Sequence, residues 1–301
     1  MNLTHMYYRF RRKMCHLRDD RRGVVRWSNL MEDRKVLPLL RTRFDPVIPP
    51  AVNIEITTHC NYGCSFCPQS SRRRPSRQMS AEDFAIVARK LAEIRFDGLV
   101  VLAVNNEPFM HPLLMSFCES LSRDLPEAKC MLVSNGSLIT QEQLDFLARL
   151  PHPPSLLVND YTEGHVVTPR IHDMLALLET PGSLPVTILP RSSSEVLSNR
   201  AGNQGGCDSH VEDYRDIVCT WPFTSLFISA DLKAFLCCSD YEHEVIVGDL
   251  RTTRIMDIWK GELYRGIRHK MLTSQRAELG LCSKCDAEWF SLPKHCEERP
   301  S

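Results

Sequence analysis

Three cysteines fall within eight residues, Cys60-Asn61-Tyr62-Gly63-Cys64-Ser65-Phe66-Cys67, and the spacing Cys-x3-Cys-x2-Cys lets all three thiols face one centre. Thiolates are the ligands of iron–sulfur clusters and of zinc. A closed structural site wants a fourth ligand close by, and the nearest candidate, His59, is adjacent in sequence and poorly placed to join. The loop therefore reads as three ligands with one position left open, where a substrate or cofactor can bind. A second set lies downstream: Cys219, the pair Cys237-Cys238, and Cys282-Ser283-Lys284-Cys285. A Cys-x2-Cys with two upstream cysteines supplies four thiols, enough for one closed site, and on spacing alone it suits zinc as well as a cluster. Cys238 and Cys207 are alternative members of that set; Cys15, Cys118 and Cys130 lie in other contexts and read as ordinary thiols.

The scaffold for these loops is a chain of 301 residues, 43% hydrophobic and 25% charged, with a formal net charge of zero. Those values suit one large globular domain with a small appendage, and they give no global pull towards nucleic acid or an anionic membrane. No apolar run approaches a membrane span and the start lacks the apolar stretch of a secretory signal, so the expected location is cytoplasmic. In that compartment thirteen cysteines point to metal rather than to disulfides.

Residues 1–50 crowd Arg9, Arg11, Arg12, Lys13, Arg18, Arg21, Arg22 and Arg26 into a weakly periodic stretch ending at Pro46, Pro49 and Pro50, an N-terminal extension with a proline-stiffened linker. From there short apolar runs alternate with amphipathic segments, the βαβ pattern of a parallel sheet with covering helices. Strands are expected at Val52–Thr57, Leu99–Val104, Cys130–Val133, Leu156–Val158 and Val186–Leu189, with no clear sixth. Between them, Ser80-Ala-Glu-Asp83 and Thr140-Gln-Glu-Gln143 are capping boxes that open helices. Phe84, Val87, Leu91 and Ile94, and then Leu114, Phe117 and Leu121, form apolar stripes, and another helix is expected around Ile171–Glu179. Past residue 200 a hairpin is expected at Leu226–Ser229 and Ala234–Leu236, then one helix over Ile255–His269. Its turn carries Asp231-Leu232 in place of the usual Asp-Gly, where a left-handed non-glycine residue costs ~1 kcal/mol.

The cysteine loop after the first strand, with Phe66 just before its third cysteine, resembles the radical S-adenosylmethionine (AdoMet) enzymes. The resemblance implies a [4Fe-4S] cluster on Cys60, Cys64 and Cys67 whose unique iron is chelated by AdoMet. It also implies a partial (β/α)6 barrel, which the α/β pattern alone does not separate from a doubly wound sheet. Asn105-Asn106-Glu107-Pro108 stands where the family carries a Gly-Gly-Glu-Pro-like motif. Glu107 is thereby assigned to the methionine ammonium and Asn106 to its neighbourhood, although two asparagines approach a ligand less closely than two glycines. By the same resemblance Phe66 packs near adenine, while Ser134 and Asn159, after the third and fourth strands, lie near the ribose. Val247-Gly-Asp-Leu250 with Ile258-Trp259-Lys-Gly261 and Tyr264-Arg265 resembles the SPASM and shorter twitch extensions, which bind auxiliary [4Fe-4S] clusters. Only Cys296 follows the Cys-x2-Cys, too far for a second cluster, so one auxiliary cluster on Cys219, Cys237, Cys282 and Cys285 is expected. The resulting division is 1–50 basic extension, 51–205 barrel and 206–301 cysteine-rich extension.

The family's chemistry is cleavage of AdoMet by one electron to a 5′-deoxyadenosyl radical that abstracts a substrate hydrogen, with the electron coming from a flavodoxin- or ferredoxin-type donor. A single auxiliary cluster resembles the twitch-type aminocyclitol dehydrogenases and implies oxidation or epimerisation of a small hydroxylated substrate, a sugar or aminocyclitol. Maturation of a ribosomally made peptide is the alternative, and RNA modification is weighed against by net neutrality and the lack of a recognisable RNA module. Arg200, ahead of the auxiliary site, is a candidate for binding a substrate hydroxyl, because a guanidinium is a poor base but a well oriented donor. Asp240 is a candidate for orienting a polyol or accepting its proton.

Overall fold

A computed structural model describes residues 48–70, 74–179, 183–192, 199–203, 219, 221–273 and 275–285. The basic extension, Cys15, Cys207, Cys296 and the expected junction near residue 205 lie outside the described residues. No helix among the described residues is long and apolar enough to cross a membrane.

The βαβ alternation is realised as β1 (Ala51–Ile54), α1 (Ala81–Glu93), β2 (Leu99–Val101), α2 (Leu114–Asp124), β3 (Lys129–Ser134), α3 (Gln141–Ala148), β4 (Ser155–Asp160), α4 (Val167–Ala176) and β5 (Val186–Pro190). There follow α5 (Trp221–Thr224), β6 (Ser225–Ile228), β7 (Lys233–Phe235), β8 (Ile246–Asp249), α6 (Ile255–Trp259), α7 (Glu262–Leu272) and α8 (Gly280–Ser283). The eight strands among the described residues share one sheet in the order β5-β4-β3-β2-β1-β6-β7-β8. Pairing is parallel from β5 to β6 and antiparallel at β6–β7 and β7–β8. The sixth parallel strand, which the sequence does not announce, is the first strand of the expected hairpin. It pairs with β1 instead of β5, with Val52 opposite Leu226, so the cysteine-rich extension and the barrel strands share one ladder.

Local signals act as expected. Ser80 accepts from the Asp83 amide, and Thr140 with Gln143 makes a reciprocal capping box, so both helices start where an orphan amide finds a side-chain acceptor. Phe84, Val87 and Leu91 of α1, Phe117 and Leu121 of α2, and Leu144 and Leu147 of α3 share one core with Val52, Ile54, Val100, Leu132, Leu156 and Val158. Because strand side chains alternate, Met131, Val133, Leu157 and Asn159 occupy the opposite face, and they stay only half-buried. That face is open to a ligand.

The single helix expected over Ile255–His269 is two helices, α6 and α7. Gly261 breaks it in an extended conformation (φ −65, ψ 160) as the N-cap of α7. A Cβ there would stand 2.7 Å from the Asp257 carbonyl oxygen, so no larger residue fits this corner. Trp259 and Tyr264 on its two sides are fully enclosed, and the buried Arg268 guanidinium lies 4.1 Å and 4.9 Å from their ring centroids. Arg268 also donates to the carbonyls of Pro222 and Trp259, 2.8 Å each. The Trp-Lys-Gly…Tyr phrase is thus a packing corner that holds α7 against α5.

Candidate functional site

The loop leaving β1 carries Cys60, Cys64 and Cys67, all half-buried. It is folded by local contacts: the Cys67 amide donates to the Cys64 carbonyl (2.9 Å), and the Tyr62 amide donates to the Cys60 sulfur (3.4 Å). Burial pushes the Cys60 thiol up to about 11, and Glu107, Cys67 and Cys64 add to the rise. A centre of positive charge would relieve that penalty by converting the thiols to thiolates. The three thiols lie close enough to raise one another's proton affinity, and three thiolates from one loop are the donor set of a four-iron cluster with one iron left open.

Next to this loop, Glu107 is 1% exposed. Its Oε1 accepts from Ser134 Oγ (2.8 Å) and the Phe109 amide (3.1 Å), and its Oε2 accepts from the Asn135 amide (2.7 Å). The Glu107 amide donates to the carbonyl of His59, the residue before the first cysteine (2.8 Å). Glu107 thus ties together the ends of β1, β2 and β3, its amide reaching the loop after β1 and its carboxylate the end of β3. Burial raises its proton affinity and the three donors oppose the rise. Ser134, expected near a ribose, is itself spent on Glu107 and on the Gly136 amide (2.9 Å). Asn106 turns its Oδ1 to the Val104 amide (2.8 Å), while its buried Nδ2 has no partner among the described residues. An orphaned donor costs about 1–3 kcal/mol, and an acceptor on a bound ligand would recover it. Asn53 Nδ2 and Arg74 Nε are likewise buried without a partner among the described residues.

Phe66 is 9% exposed and packs against Tyr161, just past β4, with ring centroids 5.3 Å apart. Asn159 lies half-buried on the open face. Its neighbour Asp160 is held below the usual carboxylate range: burial raises it, but donors from Thr162 and Thr168 prevail. Asp160 therefore fixes the turn into α4.

The second cysteine set converges. Cys219, Cys237, Cys238, Cys282 and Cys285 act on one another electrostatically. Burial pushes Cys219 and Cys282 up to about 12. The Asn105 side chain joins this set to the first, donating from Nδ2 to the Cys238 carbonyl at 2.9 Å. The Asn105 backbone carbonyl accepts from Gln69 Nε2 (2.6 Å), at the exit of the first cysteine loop. Thus the asparagine at the first motif-glycine position bridges two cysteine sites, a role its sequence position does not disclose.

Arg200 opens a 3-10 turn with φ 50. That turn is clamped over the second set: Asn199 Nδ2 donates to the Lys284 carbonyl (2.8 Å), and Asn203 Nδ2 donates to the carbonyls of Arg200 (2.9 Å) and Ser239 (3.1 Å). Its charge favours the Cys238 thiolate against burial. Asp240 is fully enclosed and accepts from the amides of Glu244 (2.7 Å) and Val245 (3.1 Å), which shapes the loop that follows.

Two groupings escaped sequence reasoning. Arg74 makes a two-pronged ion pair with Glu55 at the end of β1 (2.7 and 2.8 Å), donates to His243 Nε2 (2.7 Å), and lies 4.3 Å from the Tyr241 ring centroid. Arg276, 2% exposed, donates from Nε to the Cys282 carbonyl (3.3 Å) and from Nη2 to the Cys285 carbonyl (2.9 Å). In sequence both look like ordinary solvated arginines.

Comparison with known proteins gives concordant matches. The radical SAM superfamily model matches residues 54–163, and the SPASM iron-sulfur cluster-binding domain model matches residues 219–286. The chain is 22% identical to an S-adenosyl-L-methionine-dependent 2-deoxy-scyllo-inosamine dehydrogenase of Niallia circulans over 236 residues, 78% of this chain and 92% of the relative. Among solved structures it is similar to BtrN in complex with AdoMet and 2-DOIA (TM-score 0.70, 20% identity, 82% of this chain and 96% of that one). It is also similar to Streptococcus suis SuiB bound to precursor peptide SuiA (TM-score 0.55, 13% identity, 80% of this chain and 72% of that one).

Proposed function

From its membership of the radical SAM superfamily, with a C-terminal SPASM iron–sulfur region, the chain is an oxidoreductase using [4Fe-4S] clusters and AdoMet, and we propose that it oxidises a small hydroxylated substrate, a sugar or aminocyclitol. The observation that carries this reading is the Asn105 bridge of 2.9 Å to the Cys238 carbonyl, which sets one auxiliary cysteine site against the strand ends that hold the first. The dehydrogenase relative supports the same substrate class.

Bound at these sites, the clusters and AdoMet supply one-electron AdoMet cleavage and hydrogen abstraction from carbon. Oxidising a carbinol to a carbonyl removes a hydrogen atom, a proton and an electron. Cys60, Cys64 and Cys67 would hold the first cluster; Glu107 has one acceptor position left for the methionine ammonium, and Asn106 Nδ2 is a donor that the same ligand would satisfy. Phe66, Ser134 and Asn159 border the nucleoside. Cys219, Cys237, Cys282 and Cys285 would hold the auxiliary cluster, which would supply a one-electron acceptor. Arg200, fixed beside Cys238, orients the substrate hydroxyl, while Asp240 acts by holding loop 240–245. A flavodoxin- or ferredoxin-type protein delivers the first electron.

The test is anaerobic incubation of the reconstituted protein with AdoMet, a reductant, and panels of aminocyclitols and short peptides. Loss of two hydrogens from a polyol, with stoichiometric 5′-deoxyadenosine, is the expected result. A mass change confined to a peptide would favour peptide maturation, and a polyol product of unchanged mass would make the reaction an epimerisation.

A further inference from the structure

We propose that Arg276 sets the electron affinity of the auxiliary cluster, acting as a positioning and tuning residue. It forms part of a 3-10 turn, Arg276–Glu278, between α7 and α8. At 2% exposure its charge is shielded from water, where it acts over a longer range than a surface charge. The guanidinium fork spans both ends of the Cys-x2-Cys, reaching the Cys285 carbonyl at 2.9 Å and the Cys282 carbonyl at 3.3 Å. It therefore locks the loop that presents two of the four ligands and places a permanent positive charge behind them.

Net charge and hydrogen bonding are the levers by which a protein sets an iron–sulfur potential. Taking up one electron adds one negative charge to the site, so a fixed cation stabilises the reduced form more than the oxidised form. The inference rests on the proposed acceptor role, in which the substrate-derived electron leaves more readily for a cluster of higher potential. Lysine would retain the charge but not the two-carbonyl fork, and glutamine would retain neither.

The experiment is redox titration of the full-length holoenzyme, read by electron paramagnetic resonance. The signal is assigned with the Cys60→Ala/Cys64→Ala/Cys67→Ala variant, which keeps only the auxiliary site. Arg276→Gln should lower the reduced-to-oxidised ratio of that site about tenfold at fixed poise, equivalent to ~59 mV for one electron, with auxiliary iron retained; Arg276→Lys should stay close to wild type. An unshifted potential in Arg276→Gln at full iron content overturns the proposal. Should Arg276→Gln shed its auxiliary iron, Arg276→Lys decides: a wild-type potential supports the charge effect, and a lowered potential or lost iron overturns it. No substrate enters the titration, so an unshifted potential leaves the acceptor role standing. A shifted potential with undiminished product formation keeps the Arg276 effect and removes the acceptor role.

Discussion

The carboxylate of Glu107 offers about four lone-pair positions, and Phe109, Ser134 and Asn135 fill three of them from within the chain. The position left is on Oε2, which suits a single ammonium. Glu107→Ala should weaken AdoMet binding at least tenfold in equilibrium dialysis while the iron content of the first site stays unchanged. Unchanged AdoMet affinity would remove Glu107 from the ligand shell and leave it as a tie between strand ends. His243 is tuned in the opposite sense to an exposed imidazole. Burial, aided by Arg74, lowers it from 6.5 to about 4, so it is neutral and accepts from Arg74. Between about pH 6.5 and about pH 4 the unfolded chain binds a proton that the folded chain refuses, and stability is lost as pH falls through that window. The full contribution is roughly 3 kcal/mol. His243→Gln keeps an acceptor for Arg74 without a titrating group. In anaerobic urea titrations at pH 7 and pH 5 it should lose less stability on acidification than the wild type; equal losses would show that His243 is not the source.

Among the elements, the β6–β7 hairpin must deliver Cys237 at a fixed height, and its turn uses a residue that turns usually avoid. Leu232 has φ 65 and is 0% exposed. Its amide donates to the Ser229 carbonyl (3.0 Å), and its carbonyl accepts from Leu250 beyond β8 (2.8 Å). Glycine would remove a left-handed penalty of ~1 kcal/mol, but losing a fully buried leucine costs about 2–5 kcal/mol. Burial wins, and Leu232→Gly should unfold at a urea midpoint below that of wild type. A rise in the midpoint would mean that turn strain dominates. The Arg74–Glu55 pair is the corresponding device for the loop after Cys238: it anchors His243 and Tyr241 to the end of β1. Gly136 does similar service after β3, because φ is +76 and a Cβ would stand 2.6 Å from both Val158 and Val167.

At the scale of the whole molecule, one sheet carries two cysteine sites, so removing one should leave the other. Cys282→Ala with Cys285→Ala should remove about four of about eight irons and cripple product formation, while reductant-driven AdoMet cleavage persists. Normal product formation in that double variant would make the second site structural. The sequence by itself determined the ligand loops, the helix caps, the apolar stripes and most strands. Each of these is a relation between residues a few positions apart: three thiols in one loop, Ser80 with Asp83, Phe84 with Val87 and Leu91. Helix and turn geometry alone brings such residues together, so their spacing carries the information. The fold-scale relations came only from the tertiary structure. Arg74 meets His243 across 169 positions, Asn105 meets Cys238 across 133, and β6 inserts beside β1 instead of β5. No local spacing encodes them, because which edge a strand joins is decided by the burial and pairing of all strands at once. An arginine reads identically in sequence whether it ends in solvent or behind a cysteine site.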